Sequence, residues 1–252
     1  MNEPRGYRWL AEHGIRINHE MYVLLEKYRA ALEEENRRQN LTRVTGREEV
    51  WEKHFADSLA ILGFFDIPYG SLVIDVGTGG GLPGIPLLIV RPDIRLVLLD
   101  SERRKVEFLG EVLASLGLTA QAVWKRAEDA GRGNLRERFD AALSRAVAKV
   151  AVVAEYTLPV VRVGGAVYLF KGPGADAELA EAAVAVERLG GAIGEIRRYT
   201  LPGGEARALI RLSKVKSTPG LYPRKPGIPS KRPLGRGGKK EGADELANSG
   251  KR

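Results

Sequence analysis

Two carboxylates stand where a ligand carrying a ribose and a cation would need them. Asp75 opens the run Asp75-Val76-Gly77-Thr78-Gly79-Gly80-Gly81-Leu82-Pro83-Gly84, directly after the apolar segment Leu72-Val73-Ile74. Asp100 ends the next apolar segment, which starts at Arg95. A glycine-rich turn between a strand and a helix lets the backbone approach a ligand closely, because no Cβ stands in the way. In a doubly wound sheet that ligand lies beyond the carboxyl ends of the strands, at the switch point. A dinucleotide fold would put a pyrophosphate on the helix N-terminus. Asp75 argues against that use, since a carboxylate at the start of the turn repels phosphate and favours the cationic amino group of an amino-acid moiety. Asp100 is placed to bind the two hydroxyls of a ribose. A ribose joined to a positively charged methionine arm satisfies both acids, and S-adenosylmethionine is that ligand. Gly77 and Gly79 join Asp75 and Asp100 as cofactor-binding candidates. Taken alone, the glycine run is only a tight strand-to-helix turn; the two acids and the strand context give it meaning.

The elements that must position these residues are legible in the pattern. Met21, Leu24, Leu25, Tyr28 and Leu32 recur at helical spacing and predict a helix over 18–38. A second helix is expected over 47–64, with Val50, Phe55, Leu59 and Leu62 on its apolar face. From Leu72 strands alternate with helices: strands at 72–74, 95–99, 120–124, 139–143 and 165–170, and helices at 84–91, 102–117, 148–158 and 175–189. Gly117 is placed to close the helix before it. Alternation of this kind implies a doubly wound parallel sheet with right-handed crossovers. Two last strands, 192–199 and 206–212, follow with no helix between them, which implies one antiparallel edge strand. Trp9 and Trp51 read as packing residues.

Composition closes off several chemistries. There is no Cys, which excludes a disulfide scaffold, a thiolate metal site and a thiol nucleophile. His13, His19 and His54 show no metal-ligand spacing, so no metal is expected. Neither a signal-peptide core nor an apolar run of membrane-spanning length is present, and a cytoplasmic protein with no membrane partner is expected. The formal net charge of +8 lies wholly beyond residue 213, where eleven Lys or Arg face three Asp or Glu; the rest of the chain carries 29 of each sign. A neutral body with a basic, Pro- and Gly-rich tail fits either a polyanion contact or a solvated, disordered extension.

Several runs together carry a resemblance. DVGTGGGLPGIPL, LLDSERRKVEFL, RAE at 126–128 and SRAVA at 144–148 resemble the bacterial small-subunit (16S) rRNA guanine-N7 methyltransferase family, also called glucose-inhibited division protein B. NLT at 40–42, HFADSL at 54–59, LFKG at 169–172 and YPRKPGIPSKRPL at 222–234 match as well, so that the likeness runs in order over 18–234. The resemblance implies an α/β, Rossmann-like class I S-adenosylmethionine-dependent methyltransferase fold. The expected organisation is a helical N-terminal extension over 1–69, a core over 70–215 and a basic, disordered tail over 216–252. It implies methyl transfer from S-adenosylmethionine to a guanine N7 of 16S ribosomal RNA, free or in the small subunit, by a monomeric enzyme. The alternatives are a non-catalytic RNA-binding or ribosome assembly factor, and a methyltransferase for another substrate.

Carried over by position, the family's cofactor contacts fall on Gly77, Leu82, Asp100, Ala127, Glu128 and Arg145. Glu128 is otherwise an ordinary acid near a helix start, and Arg145 is otherwise the partner of a nearby carboxylate, with Asp75 a candidate. Asn40 either ends a helix or walls the site. His54 forms either a hydrogen-bonded cluster with Asp57 and Ser58 or part of that wall. Lys171 is either a contact to RNA or an exposed lysine at a strand end. The tail is expected to touch phosphates, and its removal to spare cofactor affinity.

Overall fold

The computed structural model describes residues 3–39 and 41–235. Asn40 and the tail beyond 235 therefore lie outside the described residues. The chain opens with helices α1 (Arg5–Glu12) and α2 (His19–Gln39). One helical stretch follows, made of α3 (Arg47–Val50), a π turn (Trp51–Ala56), α4 (Asp57–Leu59) and α5 (Ile61–Phe64). Strands and helices then alternate: β1 (Leu72–Val76), α6 (Gly84–Val90), β2 (Arg95–Asp100), α7 (Arg103–Leu116), β3 (Ala120–Trp124), α8 (Ala127–Arg132) and β4 (Phe139–Arg145). After them come α9 (Val150–Thr157), β5 (Val161–Lys171), α10 (Ala175–Arg188), β6 (Gly191–Thr200), β7 (Ala206–Lys214) and the short α11 (Ile228–Lys231).

The seven strands form one sheet in the order β3-β2-β1-β4-β5-β7-β6. Strands β1 to β5 pair in parallel, and β7 runs antiparallel to both β5 and β6. The antiparallel strand is thus not the edge strand that the sequence pattern suggests. The turn at Pro202-Gly203-Gly204 folds β7 back between β5 and β6, where both of its backbone edges are paired.

Alternation along the central strands fills two cores. Val73, Leu96 and Leu98 face the helices of the first half, whereas Ile74, Val97 and Leu99 face α9 and α10. Strands buried on both faces read as continuous apolar runs, which is why β1, β2 and β4 stand out in the sequence. Gly117, at φ +65°, ends α7 in the left-handed conformation that a helix C-terminus favours. Trp51, Phe55, Tyr28, Leu25 and Leu32 are fully or almost fully buried, so the N-terminal helices share the first core with the sheet. Trp9 is also buried, and its indole N–H donates to Thr200 O at 2.9 Å.

The segment 216–235 corrects the expectation of a disordered tail. It contains little regular structure, but its polar groups are tied to the body. Lys214, buried at the end of β7, donates to Leu158 O at 2.7 Å and lies 3.3 Å from Glu137; burial pushes its ammonium down to about 8. The Arg136 guanidinium donates to the carbonyls of Tyr222, Gly131 and Thr218. Arg224 clasps Glu155, which is wholly buried in α9, through Nε at 2.9 Å and Nη2 at 2.7 Å. Within the segment Leu234 is buried and Leu221 is exposed.

Candidate active site

A cavity of about 510 Å³ opens at the carboxyl ends of β1 to β4. Its floor is the glycine turn after β1. Gly77 and Gly79 have φ of +71° and +59°, a region that L side chains rarely adopt. A Cβ on Gly77 would lie 2.6 Å from Val147, whereas one on Gly79 would meet nothing within 4 Å. From the N-terminal side the Tyr28 hydroxyl donates to Gly80 O at 2.8 Å, and Leu32 packs over the same glycine. The turn is thus clamped from below by the sheet and from the side by α2.

Gly77, Gly79, Leu82, Asp100, Ala127, Glu128 and Arg145 all line this cavity. The sequence separates them by up to 68 positions, and the strand order brings them together. Asp100 ends β2 and Ala127 follows β3 on one side of β1, while Arg145 ends β4 on the other side. Asp100 accepts Gly79 N–H and Glu102 N–H, each at 2.9 Å, one on each oxygen. A carboxylate has about four lone-pair sites, so capacity remains for a further donor such as a ribose hydroxyl. Glu128, with 4 % exposure, accepts Gly227 N–H at 2.8 Å.

Asp75 has a different place from the one expected. It is fully buried beneath the turn and does not line the cavity. One oxygen accepts Thr78 Oγ1–H at 2.7 Å and Gly84 N–H at 2.9 Å, which fixes both ends of the turn; the other oxygen has no hydrogen-bond partner. Burial pushes its carboxyl up to about 6, against the lowering by those two hydrogen bonds. A carboxyl raised in the folded state stabilises it most below the unfolded value near 4, and that contribution is lost as pH rises through about 6. The stability of the Asp75→Asn variant relative to the parent is therefore expected to rise between pH 4 and pH 6.5. Thermal melts across that range test this, and a constant difference would show that Asp75 does not titrate there.

Lys171 is neither exposed nor in the cavity. Its ammonium donates to Ala148 O at 2.5 Å and to Glu178 at 2.9 Å, and Glu178 also accepts Val150 N–H at the start of α9. It anchors the loop after β4, a different place from the exposed strand end expected. In that loop Ala146 has φ +57° and lines the cavity. A non-glycine residue held in this region marks local strain, which tends to occur at functional sites.

Arg145 pairs with Asp57 at 3.1 Å and not with Asp75. It also donates to Lys53 O at 3.2 Å and to His54 Nδ1 at 3.3 Å. Asp57 accepts Tyr199 Oη–H at 2.7 Å, and His54 Nε2 lies 2.9 Å from Thr42 Oγ1. Ser58 takes no part in this cluster: its hydroxyl is buried without a partner. His54 and Asp57 sit three residues apart across the end of the π turn, a spacing that puts both on the face meeting Arg145. Burial, and then the guanidinium beside it, push the His54 imidazole down to about 3, so it is neutral at physiological pH.

Sequence reasoning missed the wall opposite Asp100. Tyr156, Gly227 and Ser230 line the cavity with Ala127 and Glu128, and Tyr156 Oη is 2.7 Å from Ser230 Oγ. One signal was available: an acid inside the apolar helix VAVVAEYT requires a buried partner. That partner is Arg224, which brings the segment bearing Gly227 and Ser230 to the site. Among the described residues no group of acids and histidines could hold a metal ion, and no helix is long and apolar enough to cross a membrane.

The strand order, with its antiparallel β7, and the cavity over the β1 turn define a Rossmann-like class I methyltransferase fold. TrmN from Thermus thermophilus superposes on 64% of the chain and 49% of its own length, at TM-score 0.51 and 19% identity. The 16S rRNA (adenine(1408)-N(1))-methyltransferase from Catenulisporales acidiphilia matches 64% of the chain and 90% of its own length, at TM-score 0.51 and 15% identity. Likeness at these identities speaks for the fold alone. The family described as rRNA small subunit methyltransferase G matches residues 21–197, and the chain belongs to it. Ribosomal RNA small subunit methyltransferase G of Moorella thermoacetica is 48% identical over 88% of this chain and 93% of its own length. That of Carboxydothermus hydrogenoformans is 46% identical over 92% of this chain and all of its own length.

Proposed function

We propose that the protein transfers a methyl group from S-adenosylmethionine to N7 of a guanine in 16S ribosomal RNA. The observation that carries this reading is the composition of one cavity. At the β2 and β3 end it offers a carboxylate, backbone amides and small residues that suit a nucleoside. At the β4 end it offers an Arg–His–Thr cluster that suits a heterocyclic base.

The residues present fit the cofactor. Asp100 has acceptor capacity for the ribose, and the open space above Gly79 leaves room for a ligand against the backbone. Ala127 and Glu128 border the space for the adenine. Asp75 acts through its charge from beneath the turn, where its unpartnered oxygen favours a cationic ligand above the glycines. When bound, S-adenosylmethionine supplies an electrophilic methyl group.

What the chain supplies is alignment. Guanine N7 has a lone pair and no proton to lose, so no general base is required. His54 is a poor base, because burial and the adjacent guanidinium push its imidazole down to about 3 and both ring nitrogens are engaged. Holding the acceptor at attack distance and excluding water account for the rate. Leu41, Leu82 and Val147 are the apolar part of that enclosure. The base must leave its stack to enter, at roughly a few kcal/mol. The exposed cations Lys225, Lys231 and Arg232, on the segment that carries Gly227 and Ser230 to the cavity, are available to phosphates, whose binding offsets this.

Mass-spectrometric mapping of 16S RNA from cells with and without the gene tests the reading. One 7-methylguanosine should disappear with the gene and return on complementation; an unchanged map would sink the proposal. For the cofactor, Asp100→Ala is expected to weaken binding by calorimetry by about tenfold to a hundredfold, as befits loss of a charged hydrogen-bond partner. Unchanged affinity in a folded variant would remove Asp100 from the site.

A further inference from the structure

We propose that the Thr42 hydroxyl holds O6 of the target guanine and thereby selects guanine over adenine. The inference rests on the reaction read above. It starts from a chain of hydrogen bonds in which each donor fixes the next. Arg145 is held by Asp57 and by Lys53 O, and its Nη2 points at His54 Nδ1 at 3.3 Å. Nδ1 also lies 3.2 Å from Lys53 O, but that carbonyl already accepts Arg145 Nη1–H, and a hydrogen on Nδ1 would face the Nη2–H of a guanidinium that has only donors, so Nδ1 presents its lone pair to Arg145. The imidazole hydrogen therefore sits on Nε2. From there it donates to Thr42 Oγ1 at 2.9 Å, and Val44 N–H donates to the same oxygen at 3.0 Å.

A hydroxyl has two lone pairs and one hydrogen. Both lone pairs of Thr42 are now taken, and among the described residues no acceptor takes the hydrogen. The side chain lines the cavity beside His54, Arg145, Ala146 and Val147, at the β4 end, away from Asp100 and Glu128. Thr42 is thus a donor that cannot also accept. Guanine presents N7 and O6, both acceptors, on one edge; adenine presents an amino donor where guanine has O6. With N7 turned to the methyl group, O6 meets the Thr42 donor. An adenine in the same pose would set its amino hydrogens against a hydroxyl with no lone pair to offer. Thr42 is a substrate-positioning residue, and Arg145 and His54 act on the base through it.

The test pairs an atom removed from the enzyme with an atom removed from the substrate. Full-length parent, Thr42→Val and Thr42→Ser are assayed in single turnovers on 16S RNA. The RNA carries either guanine or 2-aminopurine at the mapped position; 2-aminopurine keeps N7 and lacks O6. Thr42→Val should slow transfer to guanine by at least about tenfold, the value of one good base-edge contact. Cofactor affinity by calorimetry should stay within about twofold of the parent, and Thr42→Ser should restore the rate. On 2-aminopurine RNA the parent should already be slow, and Thr42→Val should cost no more than about twofold further. An equal loss on both RNAs would mean that Thr42 matters only for the shape of the site, and the proposal falls. A parent that methylates neither RNA at N7 overturns the reaction reading and this one with it.

Discussion

Ending the chain at Ser217 is expected to destabilise the protein severely and to weaken cofactor binding. The cut removes the segment that carries Arg224, Gly227 and Ser230. Glu155 loses the guanidinium that meets it at 2.7 Å and 2.9 Å, together with the Arg224 N–H at 2.8 Å. A buried carboxylate left without its cation costs about 3 to 5 kcal/mol. The point variant Arg224→Met isolates that share. Urea unfolding should show a loss of this size, and Arg224→Met with Glu155→Gln should recover much of it, because the second change removes the stranded charge. Ending the chain at Leu234 keeps every one of these contacts and should cost little. If Arg224→Met is as stable as the parent, the ion pair does not hold the segment. The cut also takes one wall of the cavity, since Gly227 N–H is the partner of Glu128. Removal of the tail is therefore expected to weaken cofactor binding, where charge alone led to the expectation that it would be spared.

Replacing Arg145 should separate catalysis from folding. Arg145→Met leaves Asp57, which has 3 % exposure, with only Tyr199 and a distant Arg207 at 3.7 Å. Stability should fall, and transfer to RNA should fall further, by about a hundredfold or more, because the wall that positions the base loses its fixed point. Arg145→Met combined with Asp57→Asn removes the stranded charge. Melting should then recover while single-turnover rates stay low. Joint recovery of stability and rate would show that Arg145 serves the fold alone.

Most of the sheet was legible because its central strands are buried on both faces and bounded by Gly, Pro and Asp. At the site, Asp75 and Asp100 each end an unbroken apolar run and Arg145 is the first basic residue after the run of β4, whereas Ala127 and Glu128 stood out only through the resemblance. What sequence could not convey was partnership. Arg145 had several acids to choose from, and the choice of Asp57 depends on a π turn that apolar spacing does not announce. Lys171 looked free because Glu178, its partner, lies a turn inside the following helix. The tail was misjudged because net charge counts cations without asking which are engaged. Lys214 and Arg224 belong to Glu137 and Glu155, and irregular backbone can be held by side chains such as Arg136 without forming an element.

The cavity draws its lining from Leu41 near one end of the chain to Ser230 near the other. Ligand binding and global unfolding are therefore linked. A ligand that recognises only the assembled cavity stabilises the whole fold, by about 2.7 kcal/mol at a hundredfold excess over its Kd. During synthesis the wall built by Gly227 and Ser230 arrives last. Cofactor affinity is consequently acquired late, and a chain that holds its cofactor is one in which the segments around Leu41 and Ser230 have already met.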